Sequence, residues 1–157
     1  MQAAAHNPAA EEPRSESFAW PVRVYYEDTD AGGVVYYANY LKFTERARTE
    51  WLRAAGFEQT DLAKVHGVVF VVRAFAIDYL KPARFDDALR VTVELIKVGA
   101  GQIDLIQRVM REDEELATAA VKIACVRLET MRPVRIPREI LAKLRQDSGI
   151  KKERDGV

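Results

Sequence analysis

The sequence is poor in the residues that build covalent cross-links and most metal sites. It contains one cysteine, Cys125, and two histidines, His6 and His66. A single thiol excludes an internal disulfide and a metal site made of several cysteines, and a chain without disulfides suits a reducing compartment. The sequence also lacks an apolar run of the ~20 residues that span a bilayer and a basic-then-apolar leader at its N-terminus. We therefore expect a soluble, cytoplasmic protein that is not inserted in a membrane.

The chain has no excess of charge of either sign. Lysine and arginine together number 24, and aspartate and glutamate together also number 24. Strong binding to nucleic acid requires a cationic surface, so we expect no nucleic-acid partner. Hydrophobic residues make up 48% of the 157 residues, which suffices for one domain with a buried core. We assign that domain to residues 18–147, between a disordered tail at 1–17 and a polar tail at 148–157.

Hydrophobic periodicity predicts one long helix near the N-terminus and strands through most of the remainder. Tyr37, Tyr40, Thr44, Ala47 and Trp51 recur at helical spacing, whereas later apolar residues alternate with polar ones as in half-buried strands. The predicted elements are a strand at 18–27, a helix at 37–55, a short helix at 61–65, strands at 68–79, 89–98, 102–111 and 116–129, and a helix at 138–146. A helix segregated from a run of strands indicates the α+β class, with an antiparallel sheet wrapped around the long helix.

The segment YYEDTDAGGVVYYANY, residues 25–40, carries the strongest chemical signal. Three acidic residues, Glu27, Asp28 and Asp30, follow an apolar run, and two glycines then precede the long helix. The start of a helix presents unpaired backbone N–H groups and partial positive charge. A carboxylate that can attack or activate, beside N–H donors for developing negative charge, suits attack on a carbonyl.

Local sequence alone leaves the role of these carboxylates open. Asp30 could equally be a turn aspartate that bonds its own backbone. At strand spacing, Asp28 and Asp30 would share one face, which is also compatible with acid–base chemistry by a carboxylate pair. A metal site is disfavoured because neither histidine nor cysteine lies nearby and no calcium-loop spacing is present.

Other reactive residues give weaker signals. Serines stand in the tails and no GxSxG elbow occurs, so a Ser–His–Asp hydrolase is poorly supported. Cys125 lies within a predicted strand and is interpreted as a small core residue. The charged residues in the middle of the long helix are interpreted as a solvated or ion-paired face; they are Glu45, Arg46, Arg48 and Glu50.

Residues 22–53 read VRVYYEDTDAGGVVYYANYLKFTERARTEWLR. This segment closely resembles the signature of hotdog-fold acyl-CoA thioesterases, in the family of 4-hydroxybenzoyl-CoA thioesterase and near its YbgC-like, Tol–Pal-associated branch. Agreement continues through GVVFVVR at 67–73, YLKPAR at 79–84, the aspartate pair at 86–87 and MRP at 131–133. The resemblance covers about residues 20–140.

The resemblance implies a hotdog fold, in which an antiparallel sheet wraps a central helix. It implies that two subunits pair their sheets edge to edge, that the active sites lie at this interface of a homodimer, and that dimers associate into a homotetramer. It selects Asp30 over Asp28 as the catalytic residue and assigns the backbone N–H of Tyr37 to the thioester oxygen. YbgC-type chains usually carry histidine at this position, whereas the 4-hydroxybenzoyl branch carries tyrosine.

The resemblance also implies the substrate. The expected reaction is hydrolysis of an acyl-CoA thioester to a free acid and CoA, with Asp30 as nucleophile or general base. Tyr37 and Val71 are expected to line the acyl slot. The cationic candidates for the CoA phosphates are Lys81, Arg84, Arg132 and Arg135. No metal or other cofactor is implied, and acyl carrier protein is an alternative carrier of the acyl group.

Two other functions remain compatible with such a chain. A hotdog hydratase or dehydratase would use a histidine with an acidic partner, for which His66 is the one candidate outside the N-terminal tail. A non-catalytic scaffold could instead bind acyl carriers in envelope or lipid synthesis. The intact Asp30 beside two glycines favours an enzyme.

Overall fold

The computed structural model of the protein describes residues 18–148, which form five strands and three helices. In chain order these are β1 (Phe18–Arg23), α1 (Asn39–Ala54), α2 (Gln59–Asp61), β2 (Val68–Tyr79), β3 (Ala88–Val98), β4 (Gln102–Arg111), β5 (Glu114–Arg127) and α3 (Arg138–Ser148). A 3₁₀ turn at Tyr26–Asp28 precedes α1, and a π-helical turn at Leu62–His66 continues α2. The tail predicted at 1–17 lies outside the described residues, as do residues 149–157 of the tail predicted at 148–157, whose first residue, Ser148, instead ends α3.

The five strands form one antiparallel sheet in the order β1-β3-β4-β5-β2. In β3 the buried side chains include Leu89, Val91, Val93 and Leu95, which alternate along the strand and therefore share one face. This face packs against α1, so the predicted α+β class with a sheet wrapped around a long helix is confirmed.

Helix α1 turns one face toward the sheet. Its buried residues Tyr40, Phe43, Thr44 and Ala47 follow the i, i+3, i+4, i+7 pattern, which places them on one side of a 3.6-residue helix. Full burial of an apolar side chain of this size contributes about 1.5–3 kcal/mol. Packing of this face against the sheet therefore holds α1 in place.

One charged residue of α1 departs from the predicted solvated face. The Arg48 side chain is 8% exposed and donates from Nη1 to Oε1 of Gln107 on β4 at 2.9 Å. The Gln107 amide in turn donates to the Thr44 carbonyl at 3.1 Å. Burial lowers the pKa of Arg48 from its ordinary value. A buried guanidinium needs such partners because an unpaired one is costly, and the chain of bonds ties α1 to the centre of the sheet.

The first strand is shorter than predicted. It ends at Arg23, and residues 24–27 do not continue it as the prediction for 18–27 required. Asp28 causes the change, because its Oδ2 accepts the Tyr25 N–H at 2.8 Å and closes a 3₁₀ turn. A local carboxylate-to-backbone bond thus competes successfully with strand pairing.

Strand β5 begins and ends earlier than the predicted 116–129. It starts at Glu114 because β4 and β5 are joined by a two-residue turn, in which Glu112 has a left-handed φ of 54°. It ends at Arg127, whose carbonyl accepts the Met131 N–H at 2.7 Å as the chain turns away. The polar residues 112–115 predict a turn here, but few non-glycine residues adopt positive φ, so its length of only two residues is not evident from the sequence.

Strand β2 lies at the edge of the sheet. It pairs with β5 from Val68↔Arg127 to Tyr79↔Ala117, and the register shifts at Arg73, where an extra residue forms a β-bulge. The opposite side of β2 has no strand partner among residues 18–148. The exposed edge of this 12-residue strand presents unpaired backbone groups.

Within residues 18–148, no helix is both long and apolar enough to cross a lipid bilayer.

Candidate active site

A tight turn ahead of α1 presents Asp30. The Asp30 N–H donates to the Val34 carbonyl at 2.9 Å, and the Gly33 N–H donates to the Asp30 carbonyl at 3.0 Å. Gly33 has a φ of 77°, which favours glycine at this position. A β-bridge between Thr29 and Val35 holds the two arms together. The sequence thus builds a closed loop with one carboxylate near its tip.

The Asp30 side chain is exposed and bonded at one oxygen. Its Oδ1 accepts the Gly32 N–H at 2.8 Å, which is the side-chain-to-backbone bond expected of an aspartate in a turn. A Cβ at position 32 would stand 3.2 Å from this oxygen, and glycine leaves that space open. No partner for Oδ2 occurs within the described chain. The bond to Gly32 therefore orients the carboxylate and leaves its second oxygen available.

Asp28 has a different, structural role. Its side chain is 7% exposed, and its carbonyl accepts both the Tyr36 N–H at 2.9 Å and the Asn39 amide at 2.8 Å. The alternative in which Asp28 and Asp30 share a strand face is wrong, because Asp28 is buried in the 3₁₀ turn. Among residues 18–148 there is also no group of three or more metal-binding side chains.

The backbone of Tyr37 lies immediately before α1, which begins two residues later than predicted. The Tyr36 carbonyl accepts the Asn39 N–H at 2.8 Å, and the Tyr37 carbonyl accepts the Tyr79 hydroxyl at 2.9 Å. The Tyr37 N–H itself donates to no acceptor in the described part of the chain. It is therefore a backbone donor at a helix start that is free to bind a ligand oxygen.

Aromatic rings line this end of the sheet. Tyr37 contacts Tyr36 with ring centroids 4.7 Å apart and Tyr79 at 6.5 Å, and Tyr79 packs edge-on against Tyr40 at 5.1 Å. Hydrogen bonding to Tyr37 raises the pKa of the Tyr36 hydroxyl. Partial burial, followed by the neighbouring Tyr40, raises the pKa of Tyr79 above its ordinary value.

Val71 is not brought to this site within one chain. It pairs with Ala124 in the first half of β2, eight residues before Tyr79. At about 3.3 Å per residue, this places the two Cα atoms roughly 26 Å apart. Its role in the acyl slot stays a prediction.

Of the predicted phosphate-binding cations, Arg84 lies nearest the turn. It forms a β-bridge with Val34, directly beside the loop that carries Asp30. Lys81 lies 3.8 Å from Glu114 on β5. Arg132 and Arg135 follow β5 at the opposite end of β2, where Gly67 accepts the Leu128 N–H.

His66 and Cys125 are distant from Asp30 in the fold. His66 ends the π-helical turn before β2, at the end of that strand opposite to Tyr79. A histidine–carboxylate pair with Asp30 therefore does not form within one chain. Cys125 is fully buried, with its Sγ 3.9 Å from the Arg135 carbonyl, and burial raises the pKa of its thiol. It occupies the core as predicted.

Two residues near the site received no role from the sequence. The Tyr79 hydroxyl donates a hydrogen bond to the Tyr37 carbonyl. The Asn39 side-chain amide donates one to the Asp28 carbonyl and so links the start of α1 to the 3₁₀ turn. The signals for them were weak: Tyr79 ends an edge strand just before a proline-containing loop, and Asn39 has a short polar side chain near a helix start. Such positions favour side-chain-to-backbone bonds.

Comparison with known proteins shows similarity to thioesterases. The sequence profile of the thioesterase-like superfamily matches residues 24–144. The chain is 52% identical over 125 residues to the acyl-CoA thioesterase YbgC of Haemophilus influenzae, covering 80% of this chain and 92% of the relative. It is 45% identical over 130 residues to the acyl-CoA thioester hydrolase YbgC of Escherichia coli O6:H1, covering 82% and 96%.

Solved structures with the same fold include a thioesterase. A probable thioesterase from Bartonella henselae shares 38% identity and a TM-score of 0.75, covering 78% of this chain and 100% of that one. A hypothetical protein from Aquifex aeolicus shares 31% identity and a TM-score of 0.74, covering 81% and 98%. The family match extends over most of the chain, and the fold is that of the hotdog thioesterases. The chain therefore belongs to the thioesterase-like superfamily, where it groups with the YbgC proteins, and it is a thioester hydrolase.

Proposed function

We propose that the protein hydrolyses acyl-CoA thioesters to a free acid and CoA, with Asp30 and the Tyr37 backbone N–H as the reacting groups. One observation carries the proposal: the segment that leads into α1 presents an exposed carboxylate at Asp30 and, seven residues later, an unpaired backbone donor at Tyr37. The names of the YbgC relatives supply the acyl-CoA substrate class. Either group alone would be unremarkable in a loop.

Asp30 can act in two ways. As a nucleophile, its carboxylate oxygen forms a bond to the acyl carbon, the C–S bond breaks, CoA leaves as a thiolate, and water then hydrolyses the mixed anhydride. As a general base, it takes a proton from a water whose oxygen attacks the same carbon. A thiolate is a good leaving group, so neither route needs a strong acid, which suits a site without histidine.

The Tyr37 N–H supplies the electrophilic half of the site. In both routes the carbonyl oxygen gains negative charge in the transition state, and a fixed donor stabilises it. The N-terminal end of α1, a helix of 16 residues, adds partial positive charge from the aligned peptide dipoles. Loss of one such donor typically lowers the rate by about 10²–10³-fold.

The complete site requires a second subunit in this proposal. The free edge of β2 can pair with the same strand of another copy, which would continue the sheet and remove the exposed edge. Antiparallel pairing about the middle of β2 brings Val71 of the partner subunit toward the end that carries Tyr79 and Tyr37. Association of dimers into a homotetramer stays a prediction, as do the cytoplasmic location and the use of acyl carrier protein.

We expect the protein to sediment as a dimer, or as a multiple of a dimer, at the concentration used for activity measurements. The chain mass is 17.8 kDa, so sedimentation velocity distinguishes the states clearly. The physical reason is that pairing two edges satisfies backbone groups and buries apolar side chains of β2 together. A fully active monomer would contradict the shared site while leaving Asp30 chemistry possible.

The proposed activity is tested by thiol release from a panel of acyl-CoAs with short, long, hydroxylated and aromatic acyl groups. We expect turnover of at least one class well above the rate with no enzyme, and the pattern of rates identifies the acyl group. The matching acyl carrier protein thioesters form a second arm. No thiol release in either arm would contradict the proposed function and favour a scaffold that only binds acyl carriers.

A further inference from the structure

The orientation of the Tyr37 N–H depends on the two peptide groups that flank its Cα atom. The peptide between Tyr36 and Tyr37 carries this N–H, and its carbonyl accepts the Asn39 N–H at 2.8 Å. The N–H therefore points away from α1, because N–H and C=O of one peptide point in opposite directions. The peptide between Tyr37 and Ala38 is held separately, through the bond from the Tyr79 hydroxyl to the Tyr37 carbonyl.

The Tyr79 hydroxyl is itself held in position. Tyr79 pairs with Ala117 on β5, and its ring contacts Tyr40 of α1, so the ring stands on the sheet face that packs against α1. The ring lies between Tyr40 and Tyr37, at 5.1 and 6.5 Å between centroids. The following residue, Leu80, donates its N–H to the Leu116 carbonyl at 2.8 Å. Backbone and ring contacts thus fix the hydroxyl against the turn.

We propose that Tyr79 is a positioning residue for thioester hydrolysis, whose hydroxyl holds the Tyr37 carbonyl so that the Tyr37 N–H stays directed at the substrate oxygen. The inference rests on the proposed function, because it assigns that N–H to the oxyanion. Tyr79 contacts neither the acyl carbon nor the attacking group in this scheme. It acts through the segment before α1, which has no other side-chain bond to the Tyr37 carbonyl within residues 18–148.

The expected effect is on the chemical step. The substrate carbonyl carries little charge in the ground state and most of its negative charge in the transition state. A loosened donor therefore lowers kcat and leaves KM nearly unchanged. Complete loss of one donor costs about 10²–10³-fold, and a donor that is present but mobile should cost less, about tenfold.

The test is Tyr79→Phe, which removes the hydroxyl and keeps the ring packed against Tyr40. Tyr26→Phe is the matched control, because Tyr26 is 76% exposed and its hydroxyl makes no hydrogen bond in the described chain. Both variants are assayed with the acyl-CoA that the wild type hydrolyses fastest. We expect a fall of about tenfold in kcat for Tyr79→Phe, KM within about twofold, and a melting temperature within about 4 °C. Wild-type kinetics are expected for Tyr26→Phe.

Two results would overturn the inference. One is an unchanged kcat for Tyr79→Phe. The other is a loss of kcat accompanied by an equal loss in Tyr26→Phe or by a large drop in melting temperature, since either would indicate a general effect. These outcomes are separate from failure of the proposed function, which would appear as an inactive wild type or as an active Asp30→Asn variant. An active wild type with an inactive Asp30→Asn variant and a normal Tyr79→Phe variant rejects the role of Tyr79 alone.

Discussion

Replacing Asp30 by asparagine is expected to lower kcat for acyl-CoA hydrolysis by about 10³-fold. The change removes the negative charge that either attacks the acyl carbon or takes the proton from water, and such groups contribute about 10²–10⁴-fold. The asparagine carbonyl can still accept the Gly32 N–H, which the carboxylate Oδ1 accepts at 2.8 Å in the wild type. The turn should therefore persist, and the loss should be chemical.

The measurement is steady-state thiol release with wild type and variant side by side, with circular dichroism and sedimentation as checks on fold and assembly. Asp61→Asn is the matched control, because Asp61 is an exposed residue of α2 that takes no part in the proposed site. That control should retain wild-type kinetics. Hydrolysis by Asp30→Asn within tenfold of wild type would remove Asp30 from the mechanism.

The Phe43→Ala substitution is expected to reduce the free energy of unfolding by about 3–5 kcal/mol. Phe43 is fully buried in α1, and its ring packs against Tyr40 with centroids 6.0 Å apart. Truncation leaves a cavity between α1 and the sheet that the neighbours cannot fill, so both burial and dispersion contacts are lost. Alanine is a strong helix former, so the change does not act through helix propensity.

Urea unfolding followed by circular dichroism measures this loss, at one fixed protein concentration because subunit association would also contribute to stability. Leu41→Ala is the matched control on the same helix. Leu41 is 46% exposed, and a surface change of this kind is expected to alter stability by about 0.5 kcal/mol or less. Equal effects at positions 41 and 43 would show that α1 does not bury the face described above.

Much of the fold could be predicted because apolar side chains follow the period of their element. Strands β2 and β4 have the predicted bounds, and α3 begins at the predicted residue. The predicted element bounds are wrong where one residue interrupts the hydrophobic periodicity of a strand. Asp28 closes a 3₁₀ turn within the first predicted strand, and Glu112 adopts positive φ at the turn before β5. Such local choices leave no trace in hydrophobic patterning.

Only those parts of the candidate site that lie close together in the sequence could be predicted from it. Asp30 and Tyr37 lie seven residues apart in the segment before α1, so spacing and family resemblance could relate them. The contact between Tyr79 and Tyr37 joins residues 42 positions apart, and periodicity does not show which end of an edge strand reaches a loop. Arg48 was misassigned for the same reason, because its partner Gln107 belongs to a distant strand. The predicted role of Val71 is not visible in one chain and depends on the proposed dimer.

The β-bulge at Arg73 determines on which face of the sheet the Tyr79 side chain lies. Before it, Phe70 and Val72 stand opposite odd-numbered residues of β5; after it, Phe75 does, so the side-chain parity of β2 reverses within one residue. In an uninterrupted strand of the same length, Tyr79 would fall on the outer surface of the sheet. One inserted residue, about 20 Å away along the strand, thus determines that the Tyr79 hydroxyl reaches the Tyr37 carbonyl. Deleting that residue would turn the phenol away from the proposed site without altering any residue of the site itself.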